Sequence, residues 1–266
     1  MNVYWRELKA YRKSTIIWIL SLSAIVVLFM SIYPSFTKDV AASRRALANL
    51  PAAIRSALDL SLANFFTIFG FYGYLLNFVT LAGAIQAMNL GTGIISKEDA
   101  GKTADFLLSK PVSRASVVTS KLLAALSVLL ATNLAFIAVS LGIAEVVSKS
   151  PFSTKTFILL SLTLLFIQLA FLALGTLFSV SLRRIKSVIS VSLPTVFIFY
   201  IVGTLGAIIG NDKLRYVTPF KFFDTNYIIS HQRYELPYLI IEAVFIVIAI
   251  CASYVIYKRK DIRSAT

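Results

Sequence analysis

Five stretches of this chain run for 19 residues or more without a charged side chain, and a sixth does so with one acid. They are residues 15–33, 60–96, 122–144, 156–182, 187–211 and 237–257, the last holding Glu242. A helix needs about 20 apolar residues to cross the hydrocarbon of a bilayer. Inside that layer every backbone polar group must be satisfied internally, so a run of this kind is read as a helix rather than an open strand. The expected fold is an all-α integral membrane protein with six transmembrane helices, in a single domain over residues 1–266.

Composition agrees. Of 266 residues, 58% are hydrophobic, above the roughly 45–50% of soluble domains. The net charge of +14 raises the question of nucleic acid. The basic residues lie at the ends of the apolar runs rather than on a separate surface, so no nucleic-acid partner is expected. Counting the segments in turn, 16 Lys and Arg fall on the side of both termini and 10 on the other. The positive-inside rule then puts both termini in the cytoplasm, and a plasma-membrane location is expected. The first run follows Arg6, Lys9, Arg12 and Lys13. It exceeds the 7–15-residue core of a signal peptide and is read as a retained span.

The connections differ in character. Residues 34–59 are polar and mixed in charge, with Leu47, Leu50, Ile54 and Leu58 at helical spacing around Pro51. They predict a pair of amphipathic helices at the outer interface, as a connector on the headgroups or an entry rim. Residues 60–96 are too long for one simple span. Either this helix projects beyond the membrane, or its Phe-rich start packs separately. Its glycines allow close packing or a bend, and Asn77, Gln86 and Asn89 serve helix-to-helix hydrogen bonds or line a path. Residues 212–236 are rich in Phe and Tyr, as an interfacial or re-entrant outer segment would be.

The most charged interruption between two apolar runs is 97–121, with five basic and three acidic residues. Ala104, Leu107, Leu108 and Val112 recur at helical spacing, which predicts a short amphipathic helix. Pro111 ends it at or before Lys110, because a residue preceding proline avoids the α region. Ser113 then caps the following helix. Ala100–Thr103 resembles the end of a phosphate-binding loop. Ser96 occupies the position of that loop's first glycine, and an apolar run precedes it in place of a strand. No nucleotide site is expected in this chain, and no enzymatic activity.

Glu98, Gly101, Thr103, Leu107, Leu108, Pro111, Val112, Ser113, Arg114 and Lys121 resemble the signature of the type-2 ATP-binding-cassette (ABC) exporter permeases, with Lys102 inserted between the glycine and the threonine. Residues 214–224, with Pro219-Phe220 and Phe223-Asp224, and the basic tail from Lys258 to Ile262 resemble two further elements of that family. The resemblance implies a transmembrane subunit that couples ATP hydrolysis in a separate ATPase to export of a drug, peptide, lipid or ion. It implies a cytoplasmic coupling helix at this stretch, with Glu98, Gly101, Thr103, Leu107, Leu108, Pro111 and Arg114 as the docking set. It also implies two ATPase subunits, which hold the ATP and Mg²⁺, and a second permease chain, identical or a sister. Membrane lipids are the remaining partner. The alternatives are a membrane scaffold, immunity or signalling protein that binds a partner without transport, and an ion-coupled carrier or membrane enzyme.

Glu242 is the one acid inside a run. It lies five residues past Pro237, about 8 Å along a helix at 1.5 Å per residue. An ion pair with Lys213, Arg215 or Arg233 is the expected use, and a cation or proton role the alternative. Glu242, Arg233 and Asp224 are accordingly the candidates for an outer-side ion pair or gate. His231 and Cys251 are the sole residues of their types, so the sequence offers no histidine cluster and no disulfide within the chain.

Overall fold

The computed structural model describes residues 3–58, 60–101, 114–148, 150–182 and 185–259; within it, the side chains of 95, 97–101 and 114 are not described. Six helices are long and apolar enough to span a membrane. They are α1 (Val3–Phe36), α4 (Ile68–Gly101), α5 (Arg114–Val147), α6 (Thr154–Ser181), α7 (Val188–Ile209) and α9 (Leu236–Arg259). Shorter helices are α2 (Val40–Ala48), α3 (Ala52–Ala57) and α8 (Thr225–His231), with two 3-10 turns at Asp212–Val217 and Pro219–Lys221. No strand occurs among the described residues. Each expected span corresponds to one of these six helices, so the all-α, six-helix membrane architecture holds.

Contacts sort the helix ends into two groups. At one, the terminal end, Tyr4 meets Ser127, Thr119 meets Tyr254 and Ser96 meets Ser179. At the other, the far end, Tyr33 donates to the Phe66 carbonyl, Asn64 donates to Asn226 and Tyr234 donates to the Leu159 carbonyl. Both described chain ends lie at the terminal end.

The 37-residue uncharged run resolves as a turn followed by one long helix. Thr67 opens α4 by accepting from the Gly70 amide at 3.1 Å while donating to the Asn64 carbonyl. Phe65 packs edge-on against Phe36, Phe71 and Tyr74, so the aromatic start is a plug at the far end rather than part of the span. The predicted amphipathic pair appears as α2 and α3 around Pro51. Asp39 caps α2 by accepting from the Ala42 amide at 2.9 Å. Helix α7 runs through Pro194 as one element.

The interior is built on α4 and α6. In their most apolar windows 56% and 61% of residues are buried, against 17% in α1, α7 and α9. The reason is a crossing of two glycines. A Cβ on Gly91 would collide with the Leu172 carbonyl and the Thr176 amide, and one on Gly175 with the Met88 carbonyl and the Thr92 amide. With no side chain on either helix the two backbones touch, which is how small residues promote helix association in lipid. Polar side chains then clasp the pair to α5. Gln168 on α6 donates to Gln86 on α4 at 3.0 Å, Gln86 donates to Thr132 on α5 at 3.1 Å, and Asn133 donates to Gln168 at 2.6 Å. All four are buried. Such bonds are worth about 0.6–2 kcal/mol each between membrane helices. Gln86 thus has the helix-joining role open to it in the sequence, whereas Asn89 is half-buried, with its Oδ1 shielded and unpartnered among the described residues.

Candidate functional site

At the terminal end, α4 continues unbroken to Gly101 and α5 begins at Arg114. Of the docking set, Glu98 and Gly101 lie on the last turns of α4 and Arg114 opens α5. Thr103, Leu107, Leu108 and Pro111 lie outside the described residues, as does the amphipathic helix read from the sequence there. What is described is the pair of helices that flank the stretch, and the way they are joined.

The joint is Lys121. Its side chain is 2% exposed, and Nζ donates to the Ile94 carbonyl of α4 at 2.6 Å. The Glu7 carboxylate of α1 stands 3.8 Å from the same ammonium and also meets Arg6 at 3.7 Å. A carbonyl inside a helix has a second lone pair to offer such a donor. A buried charge without compensation would cost several kcal/mol, so the carboxylate and the carbonyl are what allow a lysine here. Three separate helices therefore meet at one ammonium.

The far end holds a cavity of about 220 Å³ between α4, α6, α7 and the 212–225 segment. Asn77, Thr80 and Thr163 line its inner part, and Asp212, Lys221 and Asp224 its outer part. Asp224 also caps α8, accepting from the Tyr227 amide at 3.0 Å. Arg215 shapes the rim. Its Nε donates to the Lys221 carbonyl at 2.7 Å and its guanidinium pairs with the Glu235 carboxylate. The same group stacks 3.9 Å above the Tyr238 ring. The planar fork suits arginine to this set of partners. Behind it, burial pushes the Tyr234 hydroxyl above the ordinary tyrosine range while it donates to the Leu159 carbonyl at 2.7 Å.

The three candidates for an outer ion pair do not meet. Asp224 lines the cavity, Arg233 is exposed, and no ion pair among the described residues joins any two of the three. Glu242 is 2% exposed, and its Oε1 has no hydrogen-bond partner among the described residues. It shares a buried stripe with Tyr238, Ala249 and Ser253. Arg215, named in the sequence as a partner for Glu242, is taken by Glu235, which lies just ahead of α9 and closer to the turn that carries the arginine. That pair carried no sequence signal beyond its opposite charges. Lys121 was visible only as one letter of a signature.

The polar far-end cavity, the helix-flanked charged stretch and the six apolar helices describe a multi-pass membrane protein with one distinct feature at each end. Comparison with curated proteins returns no match to the sequence. A family model described as ABC-2 family transporter protein matches residues 1–262. With nearly the whole chain matched, this protein belongs to the ABC-2 family of transporter proteins, as a membrane permease of an ABC transporter.

Proposed function

We propose that this permease is the transmembrane subunit of an ATP-driven exporter powered by a separate ATPase that docks on residues 97–114. Two ATPase copies serve a pair of permease chains, identical or paired with a sister chain. ATP and Mg²⁺ belong to the ATPase, and this chain contributes no nucleotide site. The terminal end faces the cytoplasm of a plasma membrane and the far end faces outward. Leu107 and Leu108 enter a cleft on the ATPase, Glu98 and Arg114 set the register, and Gly101, Thr103 and Pro111 complete the docking set.

One observation carries this reading. The two helices that leave the stretch, α4 and α5, are tied together by Lys121 close to where they enter it. A push on the stretch is thereby delivered to two spans at once. Through the Gly91–Gly175 crossing it reaches α6 and the far-end cavity. The cargo class stays broad: a drug, peptide, lipid or ion.

The test is recovery of the ATPase with the tagged permease after mild solubilisation from its host. Leu107→Asp combined with Leu108→Asp is expected to lower that recovery at least about tenfold, as loss of a buried anchor pair does. Unchanged recovery would remove 97–114 from the docking role.

A further inference from the structure

A lysine is rarely buried this fully, and the position of Lys121 along its helix gives it a use. Ile94 precedes Gly101 by seven residues, and Lys121 follows Arg114 by seven. At the rise of an α-helix each is about 10 Å from where its helix meets the 102–113 stretch. The ammonium therefore bolts α4 to α5 at equal distance from both arms, 2.6 Å from the carbonyl on one side. It also holds the first turns of α1 through Glu7 at 3.8 Å. Nearby, the Tyr4 and Ser127 hydroxyls bond at 3.0 Å and fix the same part of α1 to α5.

Chemistry argues for a bolt rather than a filler. A methionine would fill the same space with no polar requirement, yet the site holds an ammonium on a carboxylate and a carbonyl from two other helices. Those partners come from positions 7 and 94, so the contact exists only when α1, α4 and α5 keep one relative arrangement. An ammonium buried this fully among helices has no water to take the place of a lost partner, and stranding it is costly. Separating any of the three helices breaks the set, and moving them together does not.

We infer that Lys121 is a positioning residue that makes α1, α4 and α5 move as one body when force is applied at residues 102–113. This rests on the exporter reading above for the source of the force, and on the geometry alone for the bolt. Without the ammonium, the same force would splay α4 from α5 at the terminal end and fail to reach the far end.

The experiment uses the full permease with its ATPase in lipid nanodiscs. Cys251→Ser removes the native thiol and Ala207→Cys places a reporter in the far-end cavity. The rate of labelling by a charged maleimide is read with and without ATP and vanadate. In the parent chain, trapping changes the rate by at least about fivefold, within the usual range of coupling between sites. In Lys121→Met that change is lost while the amount of bound ATPase is kept. Lys121→Arg, which preserves the charge, restores at least half of it. A full response in Lys121→Met, or an arginine variant no better than methionine, would overturn the inference, as would loss of ATPase binding in Lys121→Met.

If no ATPase accompanies even the parent chain, the exporter reading fails and the bolt is judged on the permease alone. Hydrogen exchange over residues 3–14 then rises about tenfold in Lys121→Met, and not in Lys121→Arg, as local opening of α1 requires. No rise in the methionine variant overturns the bolt itself.

Discussion

Two cations hold the two ends of this molecule, and they do it differently. Lys121 is 2% exposed and gathers partners from α1 and α4, far apart in the chain. The Arg215 side chain is 23% exposed, and its ionic partner Glu235 lies 20 residues on, with the Lys221 and Phe222 carbonyls and a ring from the same part of the chain. The first is a point charge between helices. The second is a planar fork that folds one segment on itself. A lysine ammonium is a compact point charge that partners from several helices can converge on, whereas the guanidinium's planar fork and flat face match the carboxylate, carbonyls and ring that one segment lays around it. The terminal end is therefore built to keep distant helices in one arrangement, and the far end to keep one loop in shape over a cavity.

The sharpest way to break this comparison is to cut the connection between the ends. Gly175→Val puts a branched side chain where the Met88 carbonyl and Thr92 amide already touch the helix. Overpacking of this kind costs about 1–3 kcal/mol or more, and here backbone rather than a flexible side chain must yield. We expect the chain to be lost from the detergent-soluble folded fraction, with thermal unfolding followed by size-exclusion chromatography as the measurement. A normal elution profile and melting temperature would show that α4 and α6 do not depend on the crossing.

Next in size is the far-end cation. Arg215→Ala removes the Glu235 pair, two carbonyl bonds and the stacking on Tyr238. Hydrogen bonds from a charged donor are worth about 1.5–3 kcal/mol, reduced here because the pair is partly exposed. The loss should stay local. Amides of residues 212–235 should exchange about 30-fold faster, and those of residues 94–96 should not change. Arg215→Lys should recover little of this, because a lysine has neither the fork nor the flat face. A lysine that restored full protection would erase the distinction drawn between the two cations.

Between the ends, Gln168→Leu removes the acceptor of Asn133 and the donor to Gln86. With about 0.6 kcal/mol as the average for such membrane bonds, a loss of about 1–2 kcal/mol is expected, read as a lower midpoint in denaturing detergent. An unchanged midpoint would make the polar cluster incidental to holding α4, α5 and α6 together.

These features divide by how far apart in the chain their causes lie. The spans were legible because lack of charge over 20 residues is a local property that the bilayer enforces. The pair α2 and α3 is legible from leucine spacing around Pro51, and the uncharged run allows two alternatives for the start of α4, between which Thr67 and Phe65 decide. Frequent glycine in α4 announced close packing, but nothing local says that Gly91 meets Gly175. Gln86 announced a hydrogen bond without naming Gln168 or Thr132. Charge alone marks the far-end candidates, and charge is blind to competition. Glu235 lies nearer than Glu242 to the turn that carries Arg215, so the acid inside the span keeps a buried place away from that arginine. The docking residues Thr103, Leu107, Leu108 and Pro111 fall outside the described residues and rest on the family alone.

The smallest expected effect concerns that choice most directly. Arg233 is exposed and makes no ion pair among the described residues, so Arg233→Ala should change stability by no more than about 0.5 kcal/mol, as surface substitutions do. If the sequence-based pairing with Glu242 existed in the membrane, removing the arginine would strand a carboxylate and cost about 3–5 kcal/mol. The two expectations differ enough for thermal unfolding in nanodiscs to separate them. Glu242→Gln supplies the control. Combined with Arg233→Ala, it should behave additively if the residues are independent and should hide the arginine's effect if they are paired. An additive result leaves Arg215 as the far-end cation that organises structure, and Glu242 as a buried group whose role must be sought along α9 rather than in the loop above it.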